Sequence, residues 1–342
     1  MAATWCDRHR QKGMDKDMNE NLKVIITDCD HDSIQIEKDV FEKAGIPVEL
    51  KQCRTEEDVI RDCQDADVFI VQYAPITRKV MEACPKLKYV VRYGVGVDTV
   101  DVPAATELGV QVGNVPDYGM NEVADHAIAM SLAMLRKIVP MNEQTKTKKW
   151  DYTTAIPVHR FSDLTCGVVG LGRIGRNFAQ KMHALGFRVI GFDPYFRETN
   201  ETAVYVTPVT FDELVKESDI ISLHCPADGN KDLFNEKTFR DMKDSALIVN
   251  VARGGIINED DLLEALKAGE IGGAALDCML GEPVSPDNEL FRQENVIVTP
   301  HMAWYSEEAA SELKRKVAEE SVTFLEGKPI RYPVNKPEKQ RS

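Results

Sequence analysis

Apolar residues in this chain fall in short continuous runs separated by stretches of helical periodicity. In the first third the runs are Leu22–Thr27, Val68–Val71, Tyr89–Val91 and Val110–Val112. Between them, apolar side chains recur every three or four positions over Ile34–Ala44, Glu56–Asp62 and Arg78–Ala83. Short unbroken apolar runs read as strands buried on both faces, and helices alternating with them predict a parallel sheet. An apolar segment follows and predicts one long helix from about Met120 to Val139, then a polar stretch from Asn142 to Ser162. Strand–helix alternation then resumes. Helices over Phe211–Lys216, Glu236–Met242 and Glu259–Ala268 are each followed by a strand, at Ile220–His224, Ala246–Asn250 and Gly273–Leu276, with a last strand at Val296–Thr299. The final helix, Ser306–Glu326, has no strand after it. A chain that crosses back to pack on its first part accounts for that helix.

The second half opens on Cys166-Gly-Val-Val-Gly-Leu-Gly-Arg-Ile-Gly-Arg176. Val168 and Val169 end a strand, and Gly170, Gly172 and Gly175 spell G-x-G-x-x-G at the start of a helical pattern. The first glycine permits the tight turn, the second lets backbone approach a pyrophosphate, and the third lets helix pack on strand. Arg173 and Ile174 fill the first turn of a helix whose N-terminus offers free N–H groups and positive dipole to phosphates. A second strand, Arg188-Val-Ile-Gly-Phe192, ends in Asp193-Pro194. That acid stands about 20 residues past the fingerprint, where a carboxylate accepts hydrogen bonds from a ribose diol. It welcomes a 2′-hydroxyl and repels a 2′-phosphate, so the expected cofactor is NAD rather than NADP.

These patterns predict an α/β chain of two Rossmann-like doubly wound parallel-sheet domains. Residues 21–120 with 305–335 form a flavodoxin-like substrate domain, and 121–304 the NAD-binding Rossmann domain. The active site is expected in the cleft between them, at the carboxyl ends of the strands. Residues 1–20 are polar and carry no apolar signal segment, and read as a disordered leader in which Met18 is a possible alternative start.

Charge changes the picture only by exclusion. A formal net charge of −14 argues against a nucleic acid or an anionic membrane as a direct partner. The eight cysteines form no C-x-x-C pair and read as reduced thiols of a cytoplasmic protein. Val123–Val139 carries Asp125, His126 and Arg136 and is too short to span a bilayer. A helix apolar on nearly all sides is buried instead, and a homodimer contact is its expected use.

Three polar side chains stand just after strands of the second domain: Arg253, Glu282 and His301. Each alone has an ordinary reading, as a surface ion-pair partner, a loop residue or a core histidine. Together, behind a dinucleotide fold, they form a candidate catalytic set. At this point the chain resembles the D-isomer-specific 2-hydroxyacid dehydrogenase family. The resemblance rests on Arg92-Tyr-Gly-Val-Gly-Val-Asp-Thr-Val-Asp101, Val123-Ala-Asp-His126, the fingerprint, Val251-Ala-Arg-Gly254, Asp277…Glu282-Pro283 and Thr299-Pro-His301, in family order. It implies hydride transfer between NAD(H) and a D-2-hydroxy acid/2-oxo acid pair, with a small-molecule substrate. Arg253 would grip the substrate carboxylate through its two-pronged fork. His301 would give a proton to the carbonyl oxygen. Glu282 would hydrogen-bond the other ring nitrogen, and its charge favours the imidazolium.

The same resemblance implies backbone donors to the carboxylate at Val95 and Gly96. It also implies cofactor contacts at Val251, Ala252, Asp277, Ala303 and the His224-Cys-Pro226 turn. Asn230 stands where many relatives have threonine, and can still donate. Asp125 stands where glutamate is commoner. Trp304, in His301-Met-Ala-Trp-Tyr-Ser306, resembles the branch that includes the C-terminal-binding-protein corepressors and their dehydrogenase-like bacterial relatives. It either walls the substrate pocket or packs at a helix start. Two alternatives to a metabolic dehydrogenase therefore stand: an NADH-sensing, corepressor-like binding protein of low turnover, and a 3-phosphoglycerate-type dehydrogenase. The few residues after Val334 favour the enzyme over the corepressor.

Overall fold

The computed structural model describes residues 22–147 and 149–341. The expected leader and Met18 lie outside the described residues. The chain divides into two compact units. One takes the described residues through Tyr118 together with those from Ser306 on, and the other is Gly119–Tyr305.

The first unit runs β1 (Val24–Ile26), α1 (Gln35–Ala44), β2 (Val48–Leu50), α2 (Glu56–Cys63), β3 (Val68–Val71), α3 (Arg78–Ala83), β4 (Tyr89–Arg92), α4 (Val102–Glu107) and β5 (Gln111–Gly113). All strands are parallel, in the order β2-β1-β3-β4-β5. This is the flavodoxin-like winding, whose order reverses beside β1. The central strands are fully buried, which is why they read as unbroken apolar runs. The short edge strand β2 is largely exposed and lacks the apolar run that would announce it.

The second unit begins with α5 (Met120–Leu135) and α6 (Ile138–Lys146). The sequence predicts one helix here, and the structure has two. Lys137 takes a left-handed φ of 51° between them. Pro140 supplies the reason: inside a continuous helix its ring would clash with the carbonyl of Arg136, whereas in the first turn of a new helix it is tolerated. The break leaves Ile138 57% and Val139 45% exposed, while Ala124, Ala127 and Met130 of α5 are buried.

The unit continues β6 (Thr165–Val169), α7 (Arg173–Ala184), β7 (Arg188–Phe192), β8 (Thr207–Pro208), α8 (Phe211–Glu217), β9 (Ile220–Leu223), α9 (Glu236–Asp241), β10 (Leu247–Asn250), α10 (Glu259–Ala268), β11 (Gly273–Leu276) and β12 (Val296–Val298). Its seven strands are parallel in the order β12-β11-β10-β9-β6-β7-β8. Counted from β6, this is the 3-2-1-4-5-6 dinucleotide-binding order with one strand added. The reversal lies between β6 and β9, so the loops after β6, β9, β10 and β11 leave from one sheet edge. The last helix, α11 (Glu307–Leu325), returns to the first unit and packs on α1 and β4. Both units are thus doubly wound α/β sheets. Among the described residues, no helix is long and apolar enough to cross a membrane.

Candidate active site

The fingerprint turn is packed to the limit that glycine allows. Gly170 has φ +92°, and a Cβ there would lie 2.7 Å from the His224 carbonyl oxygen. A Cβ on Gly175 would lie 1.9 Å from the Gly170 carbonyl oxygen. The start of α7, the end of β6 and the His224 turn therefore touch through backbone. Gly172, at the N-cap of α7, is the exception, since a Cβ there would meet nothing within 4 Å. That open space fronts the first turn of the helix, beside exposed Arg173 and half-buried Ile174. It is the cradle a pyrophosphate needs.

Asp193 closes the cradle. Its two carboxylate oxygens each accept a backbone N–H at 2.8 Å, one from Leu171 and one from Tyr195. The acid thereby ties the fingerprint to the end of β7 and keeps spare lone pairs for a diol. Pro194 after it is exposed. His224 is a different kind of residue. Its ring is buried, Nε2 meets Ser222 Oγ at 2.9 Å, and burial pushes its pKa down to about 3. It is a neutral packing group against Phe178. Asn230 turns inward, donating to the Pro226 carbonyl at 2.9 Å, and so braces the loop that carries Pro226.

The three strand-end residues do converge. At the end of β10, Asn250 donates to the Arg253 carbonyl at 2.7 Å and accepts the Ala252 N–H at 3.0 Å. This side chain bends the chain so that Val251 stays in the core and Arg253 leaves it. Gly254 locks that bend to the loop after β11: a Cβ there would lie 2.2 Å from the Met279 carbonyl carbon. The same loop carries Glu282. Its Oε1 accepts the Met279 N–H at 2.9 Å, and its Oε2 meets His301 Nδ1 at 2.5 Å. Burial alone would raise the Glu282 pKa. The hydrogen bonds from His301 and the Met279 amide, with the charges of His301 and Arg253, outweigh it and hold the carboxyl below its usual range. The Glu282 and His301 side chains are 35% and 38% exposed, so a small molecule can reach them.

His301 sits at φ +52°, a left-handed conformation that costs a non-glycine residue on the order of 1 kcal/mol. Asp277 holds it there. Its backbone carbonyl accepts the His301 N–H at 2.9 Å. Its carboxylate, with no exposed side-chain surface, accepts Thr299 Oγ1 at 2.6 Å and the N–H groups of Met302 and Ala303 at 3.0 and 2.9 Å. His126 Nε2 lies 3.0 Å from the same Thr299 hydroxyl. Asp277, Thr299 and His126 thus position the loop that carries His301. The role of Thr299 and His126 is not legible from spacing, although both stand inside the Thr299-Pro-His301 and Val123-Ala-Asp-His126 motifs. Trp304 follows, half-buried and edge-on to Tyr305 at 5.5 Å. Val95 and Gly96 belong to the other unit, in the loop after β4. Val95 is 43% exposed there, and its carbonyl accepts Asn114 Nδ2 at 2.6 Å.

Comparison with known proteins places the chain among relatives. Residues 128–303 match the family described as D-isomer specific 2-hydroxyacid dehydrogenase, NAD binding domain. The chain is 37% identical over 301 residues to D-3-phosphoglycerate dehydrogenase of Archaeoglobus fulgidus, covering 87% of this chain and 57% of that one. It spans little more than half the length of the phosphoglycerate dehydrogenases it matches. It is 34% identical over 288 residues to hydroxypyruvate reductase of Blautia hydrogenotrophica, covering 82% of this chain and 88% of that one. Among solved structures, D-lactate dehydrogenase of Aquifex aeolicus, complexed with NAD and lactic acid, superposes with a TM-score of 0.81 at 25% identity, covering 89% of this chain and 96% of that one. From fingerprint to catalytic loop, the chain belongs to the D-isomer-specific 2-hydroxyacid dehydrogenase family.

Proposed function

We propose that the protein is an NAD-dependent oxidoreductase acting on a D-2-hydroxy acid/2-oxo acid pair. The observation that carries this reading is the Glu282–His301 hydrogen bond of 2.5 Å beside Arg253, in the unit that holds the dinucleotide cradle. NAD fits that cradle. Gly172 leaves space for the pyrophosphate, and Asp193 offers carboxylate oxygens to the ribose. The loops carrying Pro226, Asn230, Val251, Ala252, Asp277 and Ala303 border it. When bound, the cofactor supplies or takes the hydride.

The chain's own residues do the rest. Arg253 holds the substrate carboxylate through two charge-assisted hydrogen bonds. His301 Nε2 delivers a proton to the carbonyl oxygen as charge develops there. Glu282 accepts the Nδ1 proton, fixes the ring's orientation and offsets its charge. Trp304 borders the substrate's side chain. The deciding experiment is NADH oxidation with glyoxylate, hydroxypyruvate, pyruvate and 3-phosphohydroxypyruvate. Turnover with none of them, despite NADH binding, would overturn the enzyme reading in favour of a corepressor-like binding role. A 3-phosphoglycerate-type activity has its own support, since several matched relatives bear that name.

NAD(H) is expected to be preferred at least about tenfold over NADP(H), or roughly 1.4 kcal/mol, because a 2′-phosphate would meet the Asp193 carboxylate. Asp193→Ala should narrow the preference, and should also weaken NADH binding by freeing the Leu171 and Tyr195 amides. Equal kcat/KM for the two cofactors in the unaltered protein would refute the assignment.

A symmetric homodimer is expected. Large apolar side chains are exposed in one stretch of the second unit: Ile138 (57%), Trp150 (90%), Tyr152 (78%) and Ile156 (63%). An apolar surface of that kind marks an interface. Light scattering at micromolar concentration should give twice the chain mass, and Trp150→Asp with Tyr152→Asp should give the monomer. A monomeric unaltered protein contradicts the proposal. All seven described cysteines are free, which supports a cytoplasmic setting.

A further inference from the structure

One side chain beside the catalytic pair has no part in the proposed reaction. Cys278 follows Asp277 at the end of β11 and is 2% exposed. Its Sγ, a carboxylate oxygen of Glu282 and a ring nitrogen of His301 all lie within 4.8 Å of one another. Thiolate, imidazole and carboxylate are the ligands of zinc-class ions. We propose that Cys278, Glu282 and His301 form a site for a soft divalent transition ion, whose occupancy reversibly shuts the active site. The inhibitory part of this proposal rests on the catalytic reading of Glu282 and His301, whereas the binding part does not.

The geometry suits such an ion. Zinc holds sulfur at about 2.3 Å and nitrogen or oxygen at about 2.1 Å, so two ligands of one tetrahedral ion stand roughly 3.6 Å apart. Rotation of the half-exposed Glu282 and His301 side chains closes the remaining gap, with Cys278 as the fixed floor. The ion arrives from the solvent side, where those two side chains are 35% and 38% exposed. On binding, the Cys278 thiol gives its proton to solvent, and the thiolate and the Glu282 carboxylate together neutralise a dication. The fourth position is left to water. Hard ions such as magnesium want oxygen ligands throughout and find one carboxylate here. Binding must open the Glu282–His301 hydrogen bond and take the proton from a thiol that burial and the charges of Asp277 and Glu282 hold well above its usual pKa, and both costs weaken the affinity. With the metal on Nδ1 and its carboxylate partner displaced, His301 keeps only the Nε2 proton of a neutral imidazole, and giving that up would leave an imidazolate, a far poorer proton delivery than from imidazolium.

The test titrates the full-length protein with zinc chloride against a chromophoric zinc indicator, and separately with cobalt chloride, reading the thiolate-to-cobalt charge-transfer band. The expected result is one equivalent of zinc bound at micromolar concentration and a charge-transfer band. Cys278→Ala should lose the band and weaken that binding at least about tenfold, and Glu282→Gln should weaken it too. Where a 2-oxo acid substrate is found, zinc should inhibit its reduction, chelator should restore it, and Cys278→Ala should keep its basal rate while needing at least about tenfold more zinc. A protein that binds zinc with the band but reduces no 2-oxo acid leaves the site standing and removes the dehydrogenase reading. Absence of the band, or equal zinc affinity in Cys278→Ala, overturns the site. Unchanged zinc inhibition in that variant overturns the inhibitory role.

Discussion

Replacing His301 with alanine is expected to lower the turnover of 2-oxo acid reduction by about 10²–10⁴-fold, the usual worth of a general acid, with NADH affinity nearly unchanged. In the proposed reaction the imidazole neutralises the developing alkoxide, and the cofactor cradle is built from other loops. Glu282→Gln is the informative partner. Glu282 is held below its usual carboxylate range, so its carboxylate is intact above that lowered pKa and is lost as pH falls through it. Glutamine removes that charge while keeping an acceptor for Nδ1. Part of the rate should therefore be retained, and the acid-side change that accompanies protonation of the Glu282 carboxyl should disappear. Steady-state reduction across pH for both variants checks this. A His301→Ala variant with near-normal turnover would show that the proton comes from elsewhere.

Arg253→Ala is expected to lower kcat/KM by about 10²–10³-fold and to raise KM as well. Each charge-assisted hydrogen bond to the substrate carboxylate contributes roughly 1.5–3 kcal/mol, and each 1.4 kcal/mol is a factor of ten. His301→Ala should instead act mainly on kcat, so the two variants separate binding from proton transfer. Arg253→Lys should recover only part of the loss, because a single ammonium cannot present the planar fork. If Arg253→Ala leaves KM unchanged, the guanidinium does not hold the carboxylate.

Much of the architecture was legible before any coordinates, because a strand buried on both faces must be apolar throughout. Val68–Val71 and Gly273–Leu276 were readable to the residue for that reason. The edge strands Val48–Leu50 and Thr207–Pro208 were not, since exposed residues carry no such constraint. The helix predicted over Met120–Val139 fails at Lys137 because apolar periodicity says nothing of Pro140, whose ring decides where a helix must restart. Local sequence thus determined the dinucleotide cradle. Its glycines, first helical turn and Asp193 lie within one strand–helix–strand unit, and their chemistry follows from spacing alone. The catalytic set is another matter. Arg253, Glu282 and His301 follow different strands, and only the parallel pairing of β10, β11 and β12 brings them to one edge. What surrounds them was decided there too. Sequence does not announce that the Asp277 carboxylate binds the catalytic loop through Thr299, Met302 and Ala303. Nor does it announce that Cys278 lies under the Glu282–His301 pair. The Asp277 contacts and the approach of Cys278 to His301 join residues 22 to 26 positions apart, and through-space proximity of that kind is a property of the folded sheet, not of the order of residues along the chain.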